Sequence, residues 1–432
     1  MEDTTSLSIE TVADATEVCQ CREEFRTACV PPALYKHEDK NYCVLHLPAR
    51  KGEAFKQAFN EKINKNDFNF QAVWFPDDIR FVEIVTKADF SHATFNAGAS
   101  FIDVEFKKRA NFFRATFNTA AYFNNAIFDD GVNLKQATFN AGVNFSGATF
   151  KNVDCSFSNF RGAVDFKQAS FRGAADFSGA TFRDHLVFAG RQQQFRFSDL
   201  STLNLQFARI EKPDCVSFHT LTLRPHCFVN VDARKFEFTN VEWSLWSGHN
   251  IDDEITSLEA LSVSSPHRLL AITCRHLAVN AEENHRYEEA SKFRYMAMDA
   301  RRLEKWQGLD FRKLSWWYWL ASGYGERIMR AAVVLLGILC VSAMFYMKVG
   351  FARWEAKRTS ETETVAAKRD EVGEPFTSFS RALTYSAAVM TFQRPEPRAA
   401  TTAAQTVVLL ETILGPVQAA LLALAIRRKF MR

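Results

Sequence analysis

The sequence predicts a repeat solenoid followed by a helical hairpin that spans a membrane. Three observations support this fold class. An 11-residue pattern dominated by Phe repeats over residues 90–188. Two apolar stretches, residues 331–347 and 407–426, approach or reach the roughly 20 residues that a transmembrane helix needs. Between them, residues 378–390 are compatible with a helix that is too short to cross.

Composition sets the first limits on function. The chain has 432 residues and a net charge of +3, which argues against a general nucleic-acid binder, so no nucleic-acid partner is expected. Its 41 Phe residues, against 9 Tyr and 8 Trp, require a repeated structural use. No nucleophile constellation, Gly-rich phosphate loop or pair of carboxylates stands out, so we expect no enzymatic activity.

The repeat alternates spacings of five and six residues between large apolar side chains, with one slip near Cys155. A small residue, usually Ala, recurs two positions before alternate Phe residues. The large positions are Phe90, Phe95, Phe101, Phe106, Phe112, Phe117, Phe123, Phe128, Leu134, Phe139, Phe145, Phe150, Cys155, Phe160, Phe166, Phe171, Phe177, Phe182 and Phe188. This spacing fits neither the helical period of 3.6 nor the strand period of 2.

A fixed short period with one large and one small residue per unit is typical of a solenoid. Each face of a coil sends one Phe inward, and four faces would give a coil of about 22 residues. Successive coils would be separated by the distance between neighbouring strands of a sheet. Weaker copies at residues 68–75 and 236–243 extend the predicted solenoid to residues 68–245.

The segment before the solenoid divides into an acidic, polar tail (residues 1–18) and a small Cys-rich segment (residues 19–67). The tail lacks the features of a signal peptide, so we expect it in the cytoplasm. Cys21, Cys29, Cys43 and His46 offer three thiolates and one imidazole, the ligands of structural zinc, with Cys19 as a spare. Ordinary buried thiols are the alternative, because the first two ligands lack the CxxC spacing.

A helical connector is predicted at residues 252–320, ending in an interfacial helix rich in Trp. Within it, residues 280–306 have the pattern of one long amphipathic helix. The connector either couples the solenoid to the membrane or is a solvated packing helix.

The pore-like domain is predicted at residues 327–432. Arg327 and Arg330 precede the first apolar stretch, and Arg427, Arg428, Lys429 and Arg432 follow the second. Positive residues on both outer flanks place both termini in the cytoplasm, in a multi-pass protein of the inner or plasma membrane. A buried hairpin in a soluble domain is the alternative.

The short helix between the spans has the layout of a re-entrant pore helix. Prolines close it, and the expected narrowest part of a pore is Thr391, Phe392, Gln393, Arg394 and Pro395. An extracellular linker with an exposed amphipathic helix is the alternative. The sequence SGYGER at residues 322–327 contains the Gly-Tyr-Gly of potassium-channel filters, but it precedes the first span. We therefore predict a turn there and no filter.

Two features of the second span carry further predictions. Glu411 is costly in a bilayer unless it faces a cavity or a partner, so we expect it to line the pore cavity or to pair with Arg394. Gly415 and Pro416 would bend the helix and form a gate hinge, with close helix packing as the alternative.

The repeat resembles the pentapeptide-repeat family, in the variant with the unit F-x-x-A-x-F-x-x-x-x-x. That resemblance implies a right-handed quadrilateral β-helix. With SGYGER, TFQRPEP and the second span added, the chain from Cys21 onward resembles membrane-anchored pentapeptide-repeat proteins with a two-transmembrane, potassium-channel-like C-terminus. Residues 392–395 cannot form the backbone-carbonyl loop that binds potassium, which puts potassium selectivity in doubt.

Two functions follow as hypotheses. The first is a homo-oligomeric ion channel, a tetramer by analogy with two-span pores, with a cytoplasmic solenoid that senses or binds a protein partner. The second is a non-conducting scaffold, anchored in the lipid bilayer, that presents the solenoid to a protein partner.

Overall fold

A computed structural model describes residues 11–12, 19–29, 34–37, 39–49, 52–82, 84, 86–190, 198–244, 251–304, 314–348, 351, 376–393, 395, 398–399 and 401–430. The chain forms two compact units, Met1–Asn284 and His285–Arg432. The boundary falls inside the predicted connector, whose helices therefore belong to two different units.

A small module precedes the solenoid. Strands Thr11–Val12, Leu34–His37 and Lys40–Cys43 form an antiparallel sheet, and Glu23–Ala28 is a short 3-10 helix. Helix α1 (Gly52–Asn64) follows. The ring of Phe55 lies edge-on to Phe75, and that of Phe59 lies 5.4 Å from Phe70, so α1 covers the first coil with apolar side chains.

The solenoid has four faces, each a stack of short parallel strands. The first face contains Ala88–Asp89, Ala110–Asn111, Val132–Asn133, Val153–Asp154, Ala175–Asp176 and Leu203–Asn204. The second contains Trp74–Phe75, Thr94–Phe95, Thr116–Phe117, Thr138–Phe139, Asn159–Phe160, Thr181–Phe182 and Arg209–Ile210.

The third face contains Ile79–Arg80, Ala99–Ser100, Ala121–Tyr122, Val143–Asn144, Val164–Lys167, Leu186–Ala189, Val216–His219 and Glu237–Thr239. The fourth contains Glu105–Phe106, Ile127–Phe128, Thr149–Phe150 and Ser170–Phe171. A further parallel sheet joins Ser198–Asp199, Leu221–Leu223 and Glu242–Trp243. The predicted four-sided β-solenoid is confirmed.

Phe side chains fill the interior as columns of parallel rings. Along the second face, the rings of Phe75, Phe95 and Phe117 stack at 4.6 Å with 3° between planes. This spacing is close to the distance of about 4.7–4.9 Å between hydrogen-bonded strands, so each coil places its ring directly on the one below. The pairing of Ala88 with Ala110 and of Ala110 with Val132 confirms the 22-residue coil.

The slip near Cys155 is a coil of 21 residues. Val132 pairs with Val153, and Thr149 with Ser170. The missing residue comes from one corner: three residues separate Phe128 from Val132, but two separate Phe150 from Val153. Because the corner absorbs the loss, Cys155 still points inward and is fully buried.

The alternation of five and six follows from two kinds of corner. Corners after the first face carry a residue in the left-handed region, as at His92, Arg114 and Gln136, and those after the third face do so at Asp103 and Asn125. Among the corners after the second and fourth faces, only Gly131 has a positive φ in the described residues, so the two kinds of corner turn the chain with different numbers of residues. Asp and Asn side chains cap the backbone there: Asp89 Oδ1 accepts from the Ser91 N–H at 3.0 Å.

A helical cap closes the last coils. It comprises α2 (Ile251–Ala260) and α3 (Pro266–Glu283), with 3-10 turns at Pro213–Cys215 and Pro225–Phe228. The amide of Asn280 donates to the carbonyl oxygens of Ala233, Arg234 and Phe236 at 3.2, 2.9 and 2.7 Å. The two N–H groups of one side chain are thus shared among three carbonyls at the solenoid end.

The second unit is helical: α4 (Tyr287–Glu304), α5 (Leu314–Ser322), α6 (Ile328–Tyr346), α7 (Phe379–Met390) and α8 (Thr402–Phe430). The prediction of one long helix over residues 280–306 is wrong. Helix α3 ends at Glu283 and α4 begins at Tyr287, because His285 adopts the left-handed conformation (φ 58°) and breaks the hydrogen-bond ladder.

Candidate functional site

The Cys-rich module brings four metal-binding side chains together. Cys19 and Cys29 flank the 3-10 helix, Cys43 ends a strand, and His46 lies in the turn that follows. His46 Nδ1 lies 3.0 Å from Cys43 Sγ, 3.5 Å from Cys29 Sγ and 3.9 Å from Cys19 Sγ. All four donor atoms lie within 4.8 Å of one another. Ligands at tetrahedral zinc distances are about 3.5–3.8 Å apart, so this Cys3His cluster can hold a metal such as zinc.

The orientation of His46 suits coordination through Nδ1. Its Nε2 lies 2.9 Å from the carbonyl oxygen of Gln71. When Nε2–H donates to that carbonyl, Nδ1 is free to bind a metal. Most metal-binding histidines donate their other ring N–H to a neighbouring oxygen in this way. Hydrogen bonds from Cys19, Cys29 and His46 lower the pKa of Cys43, which favours its thiolate, the form that binds metals.

The clustered residues differ from the predicted ligand set at a single residue. Cys21, expected as a ligand, has its Sγ 3.6 Å from Cys29 Sγ but lies outside the group of four. Cys19, expected to be a spare, takes its place: it is buried, and its sulfur accepts the Cys43 N–H at 3.2 Å. Sequence spacing could not separate the two residues, because it does not show which one turns inward.

The second unit contains a short helix packed between two long apolar ones. Helices Ile328–Tyr346 and Thr402–Arg427 are long and apolar enough to cross a membrane. In each, 17% of an apolar 18-residue stretch is buried within the chain. Helix α7 packs against both α6 and α8. The Tyr385 ring lies edge-on to that of Tyr346 at 5.0 Å. The short helix predicted between the apolar stretches is therefore present, with 12 residues.

Glu411, predicted to line the pore cavity or to pair with Arg394, lies in the interior of the second unit. It is 2% exposed and lies where the three helices meet. The Tyr346 hydroxyl donates to its Oε2 at 2.5 Å, and the Ser386 hydroxyl donates to Oε1. Ser342 is a third hydrogen-bond partner. Hydroxyls from α6 and α7 thus satisfy this carboxylate within one chain. Arg394, the expected partner, lies outside the described residues.

The predicted narrowest part follows the end of α7. Thr391, Phe392 and Gln393 are exposed, and Phe392 adopts φ 59° with 68% of its surface accessible. Pro395 is half-buried. The Gln393 N–H donates back to the Ala388 carbonyl at 2.9 Å and closes the helix.

Helix α8 runs through Gly415 and Pro416 without interruption. A Cβ on Gly415 would lie 2.7 Å from Met390 Cγ. The glycine therefore lets the end of α7 approach α8 closely. This contact favours the packing alternative over the gate hinge, which stays a prediction.

One polar residue of the second span was missed by sequence reasoning. Gln418 is 3% exposed, and its amide donates to the carbonyls of Ala321 and Ala331 at 2.7 and 2.8 Å. It ties α8 to the end of α5 and the start of α6. A lone Gln in an apolar helix is the signal that could have identified it.

The residues of SGYGER form the predicted turn between α5 and α6. Gly323, Tyr324 and Gly325 are consecutively left-handed (φ 55°, 61° and 75°), and the Tyr318 hydroxyl donates to the Tyr324 carbonyl at 2.8 Å. The prediction of a turn is confirmed.

Comparison with known proteins supports the repeat. Family models described as pentapeptide repeats match residues 112–159 (9 copies) and 141–184 (8 copies). The chain therefore carries pentapeptide repeats. No curated protein and no solved structure matches the chain.

Proposed function

We propose that this pentapeptide-repeat chain is a subunit of an oligomeric ion channel. Helices α6 and α8 cross the membrane, α7 enters it without crossing, and several copies surround a pore. Four copies are expected by analogy with two-span pores. The solenoid lies in the cytoplasm, where it binds or senses a protein partner, and the chain has no enzymatic role.

The observation that carries this proposal is the position of α7 between the two apolar helices. Its 12 residues give a length of about 18 Å, against roughly 30 Å for the hydrocarbon core of a bilayer. A helix this short, packed against both spans, ends at membrane depth. Its terminal turn must then be buried in protein or wetted by a cavity.

The exposed surface of α6 and α8 supports membrane placement. Large apolar side chains point away from the chain along both helices: Val333, Leu336, Val341, Leu409, Ile413 and Val417 are each 54–62% exposed. An apolar surface of this extent needs lipid or other subunits to cover it. Arg327 and Arg330 at one end and Arg427 at the other agree with cytoplasmic termini.

We assign the pore lining to the residues at the end of α7. Glu411 is assigned a structural role, which is to hold α7 in place. Thr391, Phe392 and Gln393 are exposed in the single chain and available to line an axis between subunits. Glu411 is enclosed by hydroxyls and holds α7 in place, so it is not assigned to the pore wall.

Subunit counting and conductance test this proposal together. The full chain would be purified in detergent, its mass measured, and the protein reconstituted into planar bilayers. We expect an oligomer that passes current, and Gln393→Glu is expected to shift the cation-to-anion permeability ratio. Gln405→Glu, an exposed site on α8 away from the α7 turn, is the matched control. A monomer, or an oligomer without current under voltage, tension and ligand screens, contradicts the channel.

A membrane-anchored scaffold is the second candidate. It is favoured by the hydroxyl partners of Glu411, which complete the polar core of the hairpin within one chain. A scaffold needs no open cavity and no fixed subunit number, so the same mass and current measurements separate the two functions.

For the Cys3His cluster we propose a structural zinc ion. Three thiols and one imidazole form a closed, soft ligand set, which zinc prefers in structural sites. The hydrogen bond between His46 and the Gln71 carbonyl would then link the zinc module to the first coil.

A further inference from the structure

We propose that the turn formed by SGYGER, with the helix ends beside it, binds a phosphate-bearing anion, supplied by the headgroup of an anionic lipid. The site is the arginine–aromatic cluster, defined as Arg302, Arg327 and Arg330 with the rings of Tyr295 and Trp319. All five residues belong to the second unit.

Aromatic faces hold the three guanidinium groups. The Cζ of Arg327 lies 4.5 Å from the ring centre of Tyr295. Arg302 and Arg330 lie over the ring of Trp319, at 4.5 and 4.9 Å. Stacking fixes the plane of a guanidinium and leaves its N–H edge free for a bidentate anion.

The two rings are hydrogen-bonded to each other, so the three guanidinium groups stack on one connected pair of rings. The Trp319 indole N–H donates to the Tyr295 hydroxyl at 3.3 Å. The Arg330 guanidinium also donates to the Trp319 carbonyl oxygen at 3.2 Å. Two elements, α4 and α5, therefore position the arginines at the start of α6.

Among the described residues, two of the three guanidinium groups have no carboxylate partner. Arg302 is paired with Asp299 at 2.6 Å. In the part of the chain that the structure describes, Arg327 and Arg330 contact rings and a backbone carbonyl, and no carboxylate lies within ion-pair distance of either. The nearby Glu326 accepts a hydrogen bond from Ser291. Uncompensated cations held in a fixed geometry fit a phosphate.

Gly323, the first glycine of SGYGER, helps to position Arg327. A Cβ on Gly323 would lie 3.1–3.2 Å from the Cβ, Cγ and Cδ atoms of Arg327. The bare backbone of Gly323 lets the stem of Arg327 cross the turn and reach Tyr295. The tripeptide thus acts through its backbone shape, and the charges come from Arg302 on α4 and from Arg327 and Arg330 after the turn.

The lipid source follows from the neighbours of the cluster. It lies at the start of an apolar helix of membrane-spanning length and beside the Trp-rich helix α5, where a bilayer surface would lie. This step rests on the membrane placement proposed above. Binding itself is measured without any current, so its failure is distinct from failure of the channel.

Binding to the full chain in detergent tests the proposal, with dioctanoyl phosphatidic acid as probe and dioctanoyl phosphatidylcholine as the comparison. We expect phosphatidic acid to bind more tightly, and Arg327→Gln and Arg330→Gln each to weaken it about tenfold or more, as loss of a charge-assisted contact would. Arg301→Gln, on the exposed face of α4, should bind as the wild type does.

Tyr295→Leu distinguishes a preorganised binding site from nonspecific electrostatic attraction, because it removes the ring under Arg327 without removing any charge. We expect it to weaken binding as well. Inorganic phosphate that competes at equal concentration would reassign the ligand to free phosphate and overturn the lipid source. The site itself is overturned if phosphatidic acid binds no better than phosphatidylcholine, if Arg301→Gln weakens binding as much as Arg327→Gln, or if Tyr295→Leu binds like the wild type.

Discussion

The hydroxyl of Tyr346, at the end of α6, donates a 2.5 Å hydrogen bond to the carboxylate of Glu411, inside α8, and the two residues lie 65 positions apart in the chain. With the hydroxyl of Ser386, it fixes α7 between α6 and α8. Removing either partner leaves a buried polar group with fewer hydrogen bonds, which costs about 1–3 kcal/mol.

Tyr346→Phe should therefore lower the thermal stability of the purified protein in detergent. We expect a loss of about 1–3 kcal/mol, measured as a lower midpoint for protease resistance of the second unit. Ser380→Ala, an exposed site on α7, is the control and should leave the midpoint unchanged. Equal midpoints for both variants would show that the hydroxyl network does not hold the hairpin together.

Phe145→Asp should unfold the middle of the solenoid. Phe145 is fully buried and stacks on Phe123 and Phe166 at 5.0 and 4.9 Å. The loss of a core ring alone costs about 3–5 kcal/mol, and an unpaired buried charge adds to it. Phe157→Asp, at a side chain that is 60% exposed, is the matched control. Circular dichroism melts should separate the two variants, and similar melts would mean that the inward register is wrong.

Cys19→Ser should lose zinc, whereas Cys21→Ser should keep it. The reason is that Cys19 supplies one of the four clustered donors and Cys21 does not. Elemental analysis of protein purified without chelator measures this, with one zinc per chain expected in the wild type. Retention by Cys19→Ser together with loss by Cys21→Ser would restore the ligand set expected from the sequence.

The helical cap should make the first unit sensitive to acid. Glu254 is fully buried, which by itself raises its pKa, but hydrogen bonds and charges from His226 and Arg224 outweigh burial and hold the pKa below its ordinary value of 4.5. A carboxyl with a depressed folded pKa gives stability that is present above pH 4.5 and lost as the pH falls through the folded value.

Fluorescence of the buried Trp243 in the last coil can report this loss during acid titration. Glu254→Gln should be less stable at pH 7 and should show a flatter pH dependence below 4.5. A variant with the wild-type acid profile would place the acid sensitivity elsewhere.

The fold was predictable wherever the sequence repeats. Phe90, Phe95 and Phe101 occupy three faces of one coil, and equivalent residues recur every 22 positions. Many positions in the sequence therefore predict the same coil geometry. Even the irregularity at Cys155 was visible, because a missing residue breaks a strict period. The helix break at His285 was not, since one left-handed residue leaves the apolar pattern of the flanking turns intact.

The candidate sites were less predictable, because each depends on contacts between distant segments. Cys19 and Cys21 are equivalent in sequence, and burial alone separates them. Glu411 was recognised as needing a partner, but the hydroxyls of Tyr346 and Ser386 lie in segments whose packing no local pattern specifies.

The 21-residue coil shows that the solenoid accepts a change of length at a corner without disturbing the stacked rings. Whole coils are the larger version of the same tolerance, since each added coil would present the same four inward side chains to its neighbours. Duplicating or deleting one 22-residue coil would therefore move the N-terminal module and the helical cap of the first unit apart or together by about 4.8 Å. The length of the solenoid can therefore change in fixed steps of one coil, while the N-terminal module and the helical cap stay the same.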